Sequence, residues 1–483
     1  MAENNKIRVR IAPSPTGLFH IGTARTTLFN YLFAKKNKGS FILRIEDTDK
    51  ERSEKKYEKD IMDGLKWLRL NWDELYYQSE RVKTHEKYLQ KLLDEGKAYK
   101  KEIIWFKNPN KQVVFHDLIR GRVEVDSSLL GDFSLAKDLK TPLYNFAAVV
   151  DDHEMQISHV IRGEDHITNT PKQILIYEAL GWEPPQFAHL PLILGPDRSK
   201  LSKRHGATSL NEYKDLGYLP EAIVNFLALL GWSAQGATPA GKRGSVAGEN
   251  PTNEEIFSIE ELVQKFSMEK IQKGGAIFNI EKLNWYNGHY IRQLDLGKLT
   301  ELCIPYLIKD KLIKPDFKLE QDPPAYGAYF LKQKYTIAKS KEEISAEKIK
   351  QIISLEKERI HKLSEIGEMT NFFFIEPKYK PGLLAWKETK KQETIKSLEI
   401  LNSILCDIKP LGFTADKIKE VLMPEAEKCL SDEEKIDRGR LLWPLRVALS
   451  GREKSPGPFE IAEIMGKEKT LKRIEAAKKI LKK

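Results

Sequence analysis

The chain has 483 residues, of which 41% are apolar and 31% charged, and carries a formal charge of +10. That composition belongs to a globular chain of roughly three domains, and no run approaches the ~18 apolar residues needed to span a bilayer, so no membrane segment is expected. The three cysteines, Cys303, Cys406 and Cys429, lie far apart without CxxC spacing. They support neither a disulfide framework nor a cysteine-rich zinc site, and with no apolar run behind a basic start a reducing, cytoplasmic setting is expected. The basic excess suits a polyanionic partner, although solubilising lysines would give the same figure.

The first fifty residues organise the rest. A strand is predicted over 9–12, then a turn holding Pro13, Pro15 and Gly17, a helix over 21–36 and a second strand over 41–45. A strand, helix and strand in short succession open a parallel-sheet unit. Helices follow over 51–68 and 80–95, the second stopped by Gly96. Residues 97–140 change to short alternating runs, read as a small antiparallel insertion closed by GDFSLAKD. The sheet then resumes with expected strands over 144–152 and 156–163, followed by a polar cluster at Arg162, Gly163, Glu164, Asp165 and His166. A helix is predicted over 169–179 and a single strand over FAHLPLIL, which feeds the basic, glycine-bearing loop 195–210. From Pro220 the pattern is helical, interrupted by a polar excursion over 233–253 and resumed over 258–266 and 280–294. Beyond about Tyr326 no strand alternation is evident, only amphipathic runs over 344–366, 391–404 and 468–482.

The chemistry gathers at strand ends. Gly17, Gly22 and Thr23 surround a helix start whose free amides and dipole suit an anion, and His20 can add a ring N–H. Small residues there would also serve a turn alone. Arg198, Lys200, Lys203 and Arg204 form a mobile basic loop; beside the first anion site it implies a nucleoside triphosphate held from both ends, and by itself it is a solvated basic loop. Arg10 and Arg162 can each grip a carboxylate, Glu46 an ammonium, and Ser14 and Tyr144 can add hydrogen bonds. Asp47 and Asp49 read equally well as an acidic helix start. The run Asp151, Asp152, His153 invites a metal reading, but adjacent residues point different ways, and no metal site is predicted.

These residues carry a resemblance. PSPTGLFHIGT at 13–23 resembles the HIGH region, and KLSKR at 200–204 the KMSKS region, of class I aminoacyl-tRNA synthetases. RIAPSPTG, FILRIEDTD, VVFHDLIRG, the stretch 144–182, LSKRHGA, AIFNIEKLNWYNGHYI and PLRVALSGREKSPGPFEI together resemble glutamyl-tRNA synthetase along essentially the whole chain. The resemblance implies an α/β fold: a Rossmann-type parallel-sheet catalytic domain with a small inserted domain, then a mostly helical anticodon-binding region. The corresponding division is 1–96 and 141–219 for the two catalytic halves, 97–140 for a shortened acceptor-end insertion, 220–325 for a stem-contact region and 326–483 for the anticodon domain.

It further implies ATP-dependent activation of L-glutamate, with Mg2+ carried on the ATP phosphates, and transfer to the terminal ribose of tRNA(Glu) by a cytoplasmic monomer. By motif position Arg10, Ala12, Ser14, Glu46, Tyr144 and Arg162 correspond to the glutamate-facing residues. His20, Gly22 and Lys203 correspond to the ATP-facing ones, with Asp165 and His166 beside the nucleotide and Lys200 assisting at the phosphates. The family commonly carries a longer segment, in some members zinc-binding, after the position of Tyr99. Here only KKEIIWFKNP precedes the VVFHDLIRG region, so no structural zinc is expected. Charging of tRNA(Gln) as well stays open, as does a catalytically inactive tRNA-binding homologue. Glutaminyl-tRNA synthetase is disfavoured by the helical C-terminal region, and the tRNA-modifying paralogue by length.

Overall fold

Arg8–Ile11 (β1), Ile21–Lys36 (α1) and Ser40–Ile45 (β2) form the strand, helix and strand that the opening sequence predicts. All six residues of β2 are buried, the signature of a parallel strand covered on both faces. The computed structural model describes residues 6–234, 255–316, 330–431 and 435–482. It divides into two units, Met1–Asn287 and Gly288–Lys483.

In the first unit the chain continues through Lys55–Trp67 (α2), Glu74–Tyr77 (β3), Val82–Asp94 (α3), Ala98–Lys100 (β4), Ile104–Phe106 (β5), Gln112–Asp117 (β6) and Gly121–Asp126 (β7). Phe133–Asp138 (β8), Thr141–Pro142 (β9), Tyr144–Glu154 (α4), His159–Gly163 (β10), Thr170–Leu180 (α5), Gln186–Leu190 (β11) and Ile193–Leu194 (β12) follow. Leu210–Asp215 (α6), Pro220–Leu229 (α7), Ile259–Lys265 (α8) and Ala276–Ile277 (β13) come next, and the division between the units falls within Ile280–Gln293 (α9).

Seven strands form one sheet in the order β3-β2-β1-β10-β11-β6-β7, parallel throughout except for the β6–β7 hairpin. The chain leaves β1 toward β2 on one side, while β10 flanks β1 on the other, and ligands of open parallel sheets sit beyond the strand ends at such a switch. Leu89, Leu92, Phe146, Val150, Val160, Ile174 and Phe187 build the core on one face. On α1, Ile21, Ala24, Leu28 and Leu32 are fully buried.

Four expectations are corrected. Residues 144–152 form the helix α4, not a strand. Their apolar run is continuous rather than alternating, and seven successive buried residues from Phe146 to Asp152 mark a helix covered all round. The 97–140 region is not one small sheet: β4, β5, β8 and β9 form their own antiparallel sheet, whereas β6 joins β11 and extends the main one. FAHLPLIL breaks at Pro191, which has no N–H for the ladder, and β12 turns away to pair with β13. The fourth lies in the second unit.

That unit contains Leu296–Lys309 (α10), Ile313–Pro315 (β14), Lys334–Ile337 (β15), Glu343–Ser345 (β16), Ala346–Ser354 (α11) and Glu365–Thr370 (α12). Lys391–Asp407 (α13), Ala415–Glu427 (α14), Gly439–Ser450 (α15), Pro458–Met465 (α16) and Lys467–Lys482 (α17) complete it. Here β14, β15 and β16 make a three-stranded antiparallel sheet where no strands were expected, because runs of three or four residues are too short to show alternation. The helical run over 344–366 is accordingly split between α11 and α12. Leu398, Leu401, Leu405, Leu445, Leu449, Ile461 and Ile474 form the core of the helical remainder. After α11, Glu356 is fully buried with one oxygen 2.8 Å from Arg359 and the other without a partner among the described residues. Most of the 233–253 excursion, and the expected boundary at 325–326, lie outside the described residues.

Candidate active site

The turn between β1 and α1 is fixed by its own side chain. His20 is the N-cap of α1 and its Nδ1 accepts from the Gly22 N–H at 3.0 Å, so a neutral ring carries its proton on Nε2, free to donate. Burial, then the neighbouring Lys200 charge, lower the His20 pKa and favour that neutral form. A Cβ on Gly17 would meet nothing, because the position borders open space.

The same turn is laced to the chain that follows the basic loop. The Ile21 N–H donates to the Thr208 carbonyl and the Leu210 N–H to the Phe19 carbonyl, each at 2.8 Å, with a bridge between His20 and Ser209. Ser209 opens α6 through a capping box with Glu212. Inside the loop Asp197 is the hub: it accepts from the Ser199 hydroxyl at 2.7 Å and from Arg204 at 3.0 Å, and faces His205 at 3.2 Å. His205 also accepts from the Ser202 N–H and packs so close to Gly195 that a Cβ there would sit 2.8 Å from its ring. Lys200 reaches Asp165 at 3.4 Å, joining the loop to the end of β10. Lys203 begins the short turn Lys203–His205, and its side chain lies outside the described residues.

At the strand ends a buried ion network stands beneath the cleft. Arg10 clamps Asp152 through Nε at 3.0 Å and Nη2 at 3.2 Å, which leaves Nη1 for a ligand. Arg44, fully buried, gives Nη1 to Asp152 at 2.6 Å and Nη2 to Glu46 at 3.0 Å. Burial pushes the Glu46 carboxyl up, against the pull of Arg44 and Arg10; at Asp152 burial is outweighed by the two arginines, which hold it below the usual range. Asp151 accepts from Gln78 at 2.8 Å and Arg81 at 2.6 Å and meets His85 at 2.8 Å; burial is again overcome, and its carboxyl falls to about 2.

Arg162 is buried and its hydrogen bonds go to neutral groups. Its Nε donates to His189 at 3.1 Å, Nη2 to Thr170 at 2.8 Å and Nη1 to the Tyr144 hydroxyl at 3.4 Å, and among the described residues no carboxylate lies within 4.0 Å. Burial, reinforced by the Arg10 charge, lowers its pKa against the weaker opposing pull of Tyr144 and of Asp152, which lies beyond ion-pair distance.

These elements enclose a cleft of about 660 Å³. Arg10, Ala12, Ser14, Gly17, His20, Gly22, Thr23, Glu46, Tyr144, Arg162, Asp165, His166 and Lys200 all line it. The Lys203 side chain is left unplaced; Asp47 instead accepts from Ser79, Asp49 pairs with Arg52, and neither of these two lines the cleft. Sequence reasoning missed Arg44, although it stands on β2 two residues before Glu46, which directly follows that strand, and the extended spacing turns both the same way. It also missed His189, whose signal was a polar residue among buried neighbours on β11, and Asp117, which closes β6 on that strand's buried face. Asp151 and Asp152 are consumed by arginines and His153 stacks on Trp182 at 3.7 Å; among the described residues no group of three or more His, Cys, Asp or Glu is placed to hold a metal.

A parallel sheet thus brings the helix start at His20 and the basic loop at Lys200 to one cleft, the frame of a class I synthetase catalytic domain. The comparisons make the class specific. Residues 6–103 and 100–285 match the family described as tRNA synthetases class I (E and Q), catalytic domain, and residues 298–478 match an anticodon binding domain. The chain is 40% identical to glutamate–tRNA ligase 2 of Thermoanaerobacter pseudethanolicus over 520 residues, covering 98% of each. It is 38% identical to the glutamate–tRNA ligase of Desulforamulus reducens over 530 residues, covering 98% of this chain and 100% of the relative. A glutamate tRNA ligase from Elizabethkingia meningosepticum, crystallised in complex with its amino acid, superposes with a TM-score of 0.75 at 31% identity, over 98% of this chain and 99% of that one. The chain belongs to the glutamate–tRNA ligase family of class I aminoacyl-tRNA synthetases.

Proposed function

We propose that the cleft activates L-glutamate with ATP and passes it to the terminal ribose of tRNA(Glu). The observation that carries this reading is Arg162: a buried guanidinium held only by neutral groups, at the rim of a cleft that also presents Glu46, Arg10 and Tyr144. A buried cation without a counterion calls for an anionic ligand. Glutamate offers one carboxylate to Arg162, the other to the α-phosphorus, and its ammonium to Glu46, with Ser14 and the Ala12 backbone completing the wall.

In the first step the substrate α-carboxylate attacks the α-phosphorus of ATP and pyrophosphate departs. Charge grows on the phosphoryl oxygens, where the His20 Nε2–H, the amides around Gly17, Gly22 and Thr23, Lys200 and, by motif position, Lys203 stand ready. Asp165 and His166 border the nucleotide. Positioning and preorganised charge suffice without a protein nucleophile. Mg2+ travels with the ATP phosphates, a mode that needs no all-protein cage. In the second step a hydroxyl of the terminal ribose attacks the adenylate carbonyl and AMP leaves. The match of 298–478 to an anticodon binding domain supports tRNA recognition by the second unit. The three free cysteines suit a reducing cytoplasm, and we assign a monomer.

Pyrophosphate exchange and aminoacylation, run with labelled glutamate or glutamine on tRNA(Glu) and tRNA(Gln) transcripts, test the reading. Glutamate-dependent exchange and charging of tRNA(Glu) are expected, with Arg162→Ala raising the glutamate KM about 100-fold. Exchange with glutamine alone, or none under any condition, overturns it. Charging of both transcripts with glutamate would identify the form that also serves tRNA(Gln).

A further inference from the structure

Behind Arg162 lies a second layer that the proposed chemistry does not use. An arginine Nε–H can only donate, so the His189 Nε2 that faces it at 3.1 Å must present its lone pair. The ring proton therefore sits on Nδ1, 2.6 Å from Asp117 Oδ2. Asp117 is itself pinned: Oδ1 accepts from the N–H groups of Ile119 at 2.9 Å and Arg120 at 2.8 Å, and from the His189 N–H at 3.3 Å. Thr170, also at 3.1 Å from Nε2, bridges the ring and Arg162. Asp117, His189 and Thr170 are fully buried.

We infer that Asp117 and His189 are positioning residues that fix the guanidinium plane of Arg162 with a neutral acceptor while withholding a countercharge. A carboxylate at 189 would orient Arg162 equally well, but it would also neutralise it. An imidazole orients without neutralising, and Asp117, one ring removed, sets the tautomer, as a carboxylate behind a catalytic histidine does. The pocket thereby keeps an unspent positive charge for a substrate carboxylate, and with it the preference for a dicarboxylic amino acid over its amide. This inference rests on the proposed glutamate site and adds the device that keeps that site cationic.

The test moves the charge without changing its sum. In the full-length enzyme with tRNA(Glu), the double variant Asp117→Asn, His189→Glu shifts one negative charge from 117 to 189, directly against Arg162. His189→Gln keeps both functions of the ring, with its amide N–H toward Asp117 and its oxygen toward Arg162. The double variant is expected to raise the glutamate KM about 100-fold and to narrow discrimination against glutamine, with the ATP KM and kcat at saturating glutamate little changed. His189→Gln is expected to stay within about fivefold of the native glutamate KM. A purely structural role would instead lower kcat and stability together and would not spare the glutamine variant.

If the double variant keeps the native glutamate KM while Arg162→Ala loses it, this inference falls and the glutamate site stands. If Arg162→Ala also keeps it, the glutamate site itself falls. Should the double variant not fold, His189→Gln decides: a glutamate KM as poor as that of Arg162→Ala overturns the inference, and a near-native one upholds it.

Discussion

Asp152 is where the fold and the site can be perturbed together. It accepts three charge-assisted bonds, two from Arg10 and one from Arg44, at 3.0, 3.2 and 2.6 Å, and is almost fully buried. Asp152→Asn keeps the shape but removes the charge and turns an amide N–H toward a guanidinium. Arg10 and Arg44 are then left with Glu46 and, 4.0 Å from Arg44, Asp151. Breaking a buried pair by removing one partner costs about 3–5 kcal/mol. At roughly 2–4 °C per kcal/mol for a domain of this size, that is a fall of about 10 °C in the unfolding midpoint. Calorimetry on Asp152→Asn beside Glu221→Gln, whose partner Arg69 is exposed, separates the buried effect from a surface one. The glutamate KM should rise with the loss, because Arg10 is no longer held. A midpoint within about 2 °C of the native one would refute the network as a foundation of the site.

Gly195→Ala should slow adenylate formation and weaken ATP binding while leaving the unfolding midpoint nearly unchanged, because its Cβ would drive into the His205 ring and disturb the loop that carries Lys200; native pyrophosphate exchange would contradict this. Glu356 gives the second unit a pH signature. Burial, partly opposed by Arg359 and Arg452, pushes its carboxyl up to about 7 from 4.5 in the unfolded chain. Its contribution to stability is therefore complete below the unfolded value and is lost as pH rises through about 7. Hydrogen exchange of the amides of α11 should quicken between pH 5 and 8 beyond its intrinsic rise, and Glu356→Gln should abolish the excess; an excess unchanged in the variant would contradict the assignment.

The sequence made the strand ends legible because their chemistry is local. Gly17, His20 and Gly22 sit on one turn, and the helix start they imply falls at Ile21. Arg10, Glu46 and Arg162 each lie within one residue of the end of a strand of one sheet, so the parallel reading alone carries them to a common rim. What it could not supply was long-range pairing. Arg44 reaches Asp152 across more than a hundred residues, and nothing in the spacing of either announces the other. Helix α4 was hidden for a related reason: FAAVV is apolar throughout, and period distinguishes helix from strand only when one face is polar. The second-unit sheet escaped because its strands are shorter than the pattern needed to reveal them.

Asp117 stands on β6, a strand the chain makes between β5 and β8 and lends to the main sheet. Residues 97–140 are thus no detachable cassette. A chimera that exchanged the whole stretch with a relative would import a foreign support for Arg162 along with the exchanged surface. Grafting junctions that spare the amino-acid pocket must fall outside the β6–β7 hairpin, so the segments open to exchange are the ones on either side of it.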